Sequence, residues 1–276
     1  MTSHHVVVGV DGSLVSVRAS DRAAAEAVRH GTDLRVLYAV PDRDEAAPVL
    51  GSAVARIRAR HPGLRVEAVV AQGGAVRALA RESVDADLTV VGTRGPGALT
   101  GAAFGSVSLR LAALAQGPLL VVRGDHARDG GGDVLLGLAD DTDARVAEYA
   151  LREARRRGAG LRVLHCPGRR RLTPGLPSPV PARCSGRERP AGRDRAVEDV
   201  PSCALTLLQD RYPGVRVEAR TLRVAPADGL RAATREAAVV VIGAHLRTGV
   251  LGLRPGPVVR TLLHRAHCPV LVVPHG

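Results

Sequence analysis

The sequence contains no lysine and no tryptophan, and its aromatic side chains amount to three Tyr and one Phe. Without lysine, Schiff-base chemistry and the phosphate-reading Lys of a Walker loop are excluded. With almost no aromatics, stacking platforms for single-stranded bases are excluded too, and a core must be built from Val, Leu, Ala and Ile. All 39 basic positions are Arg, in keeping with GC-rich coding, which favours Arg, Ala, Val and Gly together. No apolar run reaches the roughly 18 residues that a membrane helix needs. The longest, Leu111 to Val122, is interrupted by Gln116, Gly117 and Pro118. Met1 to His5 lead straight into a strand-like segment with no signal-peptide layout, so a soluble, cytoplasmic protein with no membrane partner is expected. The four cysteines, Cys166, Cys184, Cys203 and Cys268, form no C-x-x-C pair and no metal-ligand spacing. Unpaired thiols and no bound metal are expected.

What is present is an ordinary globular composition, 45% hydrophobic and 24% charged over 276 residues, which allows one large domain or two small ones. The formal charge of +12 invites a nucleic-acid reading. Its distribution argues otherwise. From Pro167 to Arg195 eight Arg face only Glu188 and Asp194, and the same stretch holds six Pro. Such a segment reads as a solvated loop, not a groove for specific nucleic acid.

The chain repeats itself. Residues 87–123 align without gaps on residues 238–274 at an offset of 151, placing Gly92 on Gly243, Gly105 on Gly256 and Pro118 on Pro269. Val6 to Ser13 (VVVGVDGS) lies over Val134 to Asp141 (VLLGLADD) at an offset of 128, with Gly9 on Gly137. The insert 167–195 accounts for most of the difference between the offsets. Two related halves follow, 1–126 and 132–276, joined near Gly130, Gly131 and Gly132.

Each half alternates short apolar runs with amphipathic stretches. Strands are expected near 5–10, 34–40, 65–71, 88–92 and 119–123, then near 133–138, 161–166, 215–220, 238–242 and 269–273. They are apolar throughout rather than alternating, as strands buried on both faces are. Helices are expected near 16–30, 46–60, 75–84 and 106–116; in the first, Ala19, Ala23, Ala27 and Val28 keep helical spacing beside Arg18, Arg22 and Arg29. Right-handed βαβ units and parallel sheets with helices on both faces result. The expected fold class is α/β: two tandem doubly wound domains with five-stranded parallel sheets.

In open α/β sheets, ligands sit beyond the carboxyl ends of strands, where strand order reverses. The first strand ends at Gly9, Val10, Asp11, Gly12 and Ser13. A carboxylate there can accept hydrogen bonds from a ribose hydroxyl or an exocyclic amine; equally, Asp11 or Ser13 can simply cap the next helix. The fourth strand ends at Gly92, and Gly95, Gly105 and Ser106 follow in the spacing G-x2-G-x9-G-S, with Gly97 inside the loop. Glycines admit close approach of backbone to phosphate, and free amides at the following helix start hold the charge. Ser106 and Ser108 add hydroxyls and Arg94 a guanidinium. This is neither a Walker loop nor the dinucleotide fingerprint, since no Lys precedes Ser106 and the glycines follow the fourth strand.

These motifs, with the closing Pro118 and its apolar strand, resemble the universal stress protein family in its tandem two-domain form, over nearly the whole chain except the insert. The resemblance implies flavodoxin-like, adenine-nucleotide α-hydrolase-like domains with strand order 3-2-1-4-5. It also implies, for one branch of the family, bound ATP with or without Mg²⁺. On that basis Asp11 would contact the adenosine end and Val40 would present backbone to adenine. Gly92, Gly95, Gly105, Ser106 and Val107 would hold ribose and phosphates. The family's usual acidic-Pro or Ser-Pro after the third strand is here Gly73, Gly74 and Ala75.

The second half departs from the pattern. Asp11 faces Ala139, Gly95 faces Leu246, and Ser106 faces Pro257, which lacks both a hydroxyl and an amide donor. One competent site, in the first half, is therefore expected, with the second half kept for packing. Its strand Val270 to Val273 is expected against Leu119 to Val122, an internal pseudo-dimer of the kind the family forms between chains. The leading functional reading is an ATP-binding stress-response regulator with a regulatory protein partner. Its rival is a scaffold of the same fold with a vestigial site. Adenylating ligases of the wider group are disfavoured by the missing lysine and the lack of a second substrate domain. No catalytic base, arginine finger or Mg²⁺ carboxylate is identifiable, so any hydrolysis would be slow.

Overall fold

The computed structural model describes residues 4–40, 46–93, 106–123, 131–138, 144–165, 210–222, 224–244, 246–249 and 252–274. The insert 167–195 and Cys166, Cys184 and Cys203 lie outside them. The first half runs β1 (His5–Val10), α1 (Leu14–His30), β2 (Asp33–Val40), α2 (Ala46–Arg60), β3 (Val66–Gln72), α3 (Ala75–Glu82), β4 (Leu88–Gly92), α4 (Ser106–Leu114) and β5 (Leu119–Val122). The second runs β6 (Asp133–Leu138), α5 (Ala144–Arg157), β7 (Leu161–His165), β8 (Val217–Thr221), α6 (Pro226–Ala233), β9 (Ala237–Gly243), the hairpin β10 (Leu246–Gly249) and β11 (Gly252–Pro255), α7 (Pro257–Arg265) and β12 (Val270–Val273).

Why the strands sit where they do follows from their lack of polar alternation. Val6, Val7 and Val8 of β1 are all fully buried, as are Val239, Val240 and Val241 of β9, so both sheet faces must be covered by helices. Helix α1 starts where Ser13 accepts a hydrogen bond from the Ser16 amide and stops at Gly31, whose φ of +66° is the left-handed conformation that ends helices. Its Ala19, Ala23 and Ala27 are fully buried. Val28 is 55% exposed, whereas Arg22 and Glu26 are buried. The apolar spacing located the sheet-facing stripe; the polar flank is covered because α5 packs there.

Strand order is β3-β2-β1-β4-β5-β12-β9-β6-β7-β8, so each half has the order 3-2-1-4-5. In place of two separate five-stranded sheets there is one ten-stranded sheet. The join is antiparallel, Val270 opposite Val121, Leu271 opposite Leu120 and Val272 opposite Leu119. All six residues are buried. Pairing these apolar edges removes the exposed backbone row that would otherwise invite aggregation.

Related positions pack alike in the two halves. A Cβ on Gly9 would lie 2.8 Å from Leu79, and one on Gly137 would lie 2.9 Å from Leu230. The Ser83 hydroxyl donates to the Ala80 carbonyl and accepts from the Gln116 amide at 3.1 Å. Thr234 does the same with Arg231 and with the His267 amide at 2.9 Å. The two-stranded hairpin β10–β11, by contrast, has no counterpart among the expected elements.

Candidate functional site

A cleft opens at the carboxyl ends of β1 and β4, where β1 lies between β2 and β4 and the strand order reverses. Gly9, Val10, Asp11 and Ser13 enter it from β1 and the turn into α1, and Gly92 and Thr93 from β4. Val107 and Ser108, in the first turn of α4, close it. Val15, Leu37, Ala39, Leu79 and Val91 form its apolar wall. The described part encloses about 120 Å³, below the roughly 300 Å³ at which small-molecule pockets begin. Two of its walls are joined by residues 94–105, which are outside the described set.

The structure thus brings Gly9, Val10, Asp11, Ser13, Gly92, Val107 and Ser108 together on one cleft. Arg94, Gly95, Gly97 and Gly105 lie outside the described residues, and Ser106 is described only as the first residue of α4. Val40 is buried, and its carbonyl accepts from the Gly73 amide; the residue of β2 next before it, Ala39, is the one on the cleft wall. Sequence reasoning missed Val15, Leu37, Ala39, Leu79 and Thr93. Apolar letters on strands and helices carry no mark that separates cleft wall from core.

Local hydrogen bonding bears out the capping role at the turn. The Asp11 carboxylate accepts from the Ser13 amide at 3.0 Å, and the Ser13 hydroxyl accepts from the Ser16 amide at 3.2 Å. Gly12 makes the turn possible with φ of +76°. Asp11 nevertheless remains exposed, so capping and ligand contact are compatible. Gly92 also has a packing reason: a Cβ there would lie 2.7 Å from Val15 Cγ1 and 3.0 Å from its carbonyl oxygen.

A second cluster of ionisable groups lies between the halves. Glu26 and His30 of α1 and Glu153 of α5 offer ligand atoms within 4.8 Å of one another, the one such group among the described residues. Arginines already surround it. Arg22 Nε lies 2.7 Å and Arg29 3.1 Å from Glu26, and Arg157 bridges Glu26 and Glu153. Those guanidinium groups supply the positive charge that a metal ion would bring, so the cluster reads as an ion network. Burial works to raise the Glu153 carboxyl, but the His30 hydrogen bond and Arg157 outweigh it and bring the pKa down to about 2. Burial pushes the Cys268 thiol up to about 12, which leaves it without thiolate character at neutral pH.

Comparison with known proteins agrees with this architecture. The model of the universal stress protein family matches residues 2–61, 45–123 and 132–274. A universal stress protein of Mycolicibacterium smegmatis is 32% identical over 99% of this chain and 97% of its own. One from Mycobacterium tuberculosis is 29% identical, covering 98% of this chain and 95% of its own. The crystal structure of a universal stress protein from Archaeoglobus fulgidus shares the fold, with a TM-score of 0.66 at 15% identity over 99% of this chain and 98% of that one. Tandem halves, strand order and near full-length similarity converge: the chain belongs to the universal stress protein family.

Proposed function

We propose that the first half, 1–126, binds an adenine nucleotide and that ATP is the ligand, the second half, 132–276, serving as a packing partner without a competent site. The observation that carries this reading is the meeting of Asp11, Gly92 and the first turn of α4 on one cleft at the strand-order reversal. The residues fit such a ligand. Leu37, Ala39, Leu79 and Val91 offer an apolar slot for a base, and the exposed Asp11 carboxylate can accept from a ribose hydroxyl or amine. Helix α4 points its first turn at the cleft, where amides and the helix dipole favour phosphate. In this reading Gly9, Val10, Asp11, Ser13 and Val40 serve the adenosine end. Gly92, Arg94, Gly95, Gly97, Gly105, Ser106, Val107 and Ser108 hold ribose and phosphates. Mg²⁺ would arrive with the phosphates, since Asp11 is the one carboxylate on the described wall.

Nucleotide occupancy would then bias conformation or partner choice in a stress response, as a regulator rather than an efficient enzyme. A cytoplasmic location goes with this reading, and no described helix is long and apolar enough to cross a membrane. The same reading treats the β5–β12 join as the internal form of a family dimer, with homodimers and a regulatory protein as further partners. The scaffold alternative draws on Gly9 and Gly92, each of which has a packing role that needs no ligand.

The test is to denature freshly purified protein and count released nucleotide by chromatography. The expected yield is a single adenine nucleotide per chain. A second nucleotide per chain would overturn the degenerate second half. None, with no heat on titrating millimolar ATP, would leave the scaffold reading standing.

A further inference from the structure

A roomier cavity than the proposed nucleotide cleft lies elsewhere in the fold. It holds about 720 Å³ between the halves, at the amino-terminal ends of β6–β9, and α1 and α5 form its other side. Five guanidinium groups line it: Arg22 and Arg29 from α1, Arg155 and Arg157 from α5, and Arg216 from the segment before β8. Asp133 is the one carboxylate on the wall. Glu26 and Glu153 stand behind the arginines, and Glu218 reaches Arg216 Nε from 3.8 Å. Positive charge is in excess even when all four carboxylates are counted.

The wall has two further properties. It is rich in bare backbone, with Gly131, Gly132, Gly158, Gly160 and Gly214. One of these already shows an anion-binding geometry, because the Gly160 amide donates to Asp133 Oδ1 at 3.0 Å while Arg216 donates to Asp133 at 3.1 Å. The wall also lacks a surface for a base. Its apolar members are Ala154, Ala159, Val215 and Ala238, with no aromatic ring. The carboxyl ends of α5 and of α1, whose last turns carry the lining Arg157 and Arg29, oppose an anion with about half a negative charge each. Arg156, in the last turn of α5, adds one guanidinium to those already counted on the wall.

We infer that this cavity is a second anion site, for a compact, multiply charged phosphate such as pyrophosphate or tripolyphosphate. Guanidinium groups on facing elements suit several phosphate oxygens at once, and several are held in place by Glu26 and Glu153 rather than free to swing. Because α1 belongs to one half and α5 to the other, a bound anion would bridge both.

The experiment is calorimetric titration of the full chain with sodium tripolyphosphate at low salt, where such contacts are strongest. Saturable binding is expected. Arg29→Gln combined with Arg216→Gln should weaken it by at least about tenfold. Asp133→Asn should strengthen it several-fold, since it removes a negative charge and keeps an oxygen for the Gly160 amide. No saturable heat up to millimolar tripolyphosphate, or an affinity unmoved by both variants, would overturn the proposal. If the double arginine variant fails to fold by circular dichroism, Asp133→Asn decides alone: tightening supports the site and no change overturns it.

Discussion

The two halves of the chain agree where they pack and disagree where strands meet solvent. Gly9 against Leu79 is matched by Gly137 against Leu230, and the Ser83 bridge by the Thr234 bridge. At the carboxyl ends of the fourth strands the two sequences part, with Leu246 in the place of Gly95. Between β9 and α7 the second half places a β-hairpin that packs against α4, and Pro257 opens α7 where Ser106 opens α4. Packing constrains a residue through every neighbour at once, so helix and sheet contacts tolerate few alternatives. A loop beyond a strand end is held by fewer neighbours and can change with less cost to the fold.

The largest expected effect comes from breaking the network that ties the halves. Arg157→Ala leaves Glu26 and Glu153 buried beside each other, and should cost about 3–5 kcal/mol in urea unfolding. A loss below about 1 kcal/mol would mean that the network is solvated.

Acid should act on the same place. The folded carboxyl of Glu153 sits at about 2, below its ordinary 4.5. Its contribution is therefore complete above pH 4.5 and is lost as the pH falls toward 2. Arg157, which pairs with it, stays charged throughout. A loss on the order of 3 kcal/mol over that window is expected. Glu153→Gln should flatten the pH dependence of the melting temperature there; an unchanged slope would assign the acid sensitivity to other carboxylates.

Writing the second half's residue into the first sharpens the contrast at the loops. Gly95→Leu should weaken ATP binding by at least about tenfold, roughly 1.4 kcal/mol, with the melting temperature unchanged. Parent-like affinity would refute the assignment of the phosphate loop. An effect of similar size tests the packing that both halves share. Ser83→Ala and Thr234→Ala each strand a backbone amide, and should each cost about 1–2 kcal/mol, equal to within about 0.5. A large inequality in denaturant midpoints would show that one half carries more of the stability.

How much of this was legible depends on the kind of signal. Continuous apolar runs at Val6 to Val8 and Val239 to Val241 announced doubly covered strands, and the two offsets announced the repeat. Gly9, Asp11 and Gly92 stood out because glycine and carboxylate are informative letters at strand ends. Leu37 and Leu79 did not, because a cleft wall and a core use the same side chains. Helical spacing placed Arg22 beside the apolar stripe of α1 and left Glu26 unmarked; the docking of α5 is what buries both.

The amino-acid sequence by itself therefore determined the α/β class, the strands and the tandem halves, since these rest on local periodicity and on self-similarity along the chain. Tertiary structure decided the rest. That two sheets become one through β5 and β12, that charges on α1 and α5 close into a buried network, and that arginines from both halves line one cavity all depend on residues far apart in sequence. Such contacts are set by how helices and edges fit together in space, and no pattern confined to a single segment encodes that fit.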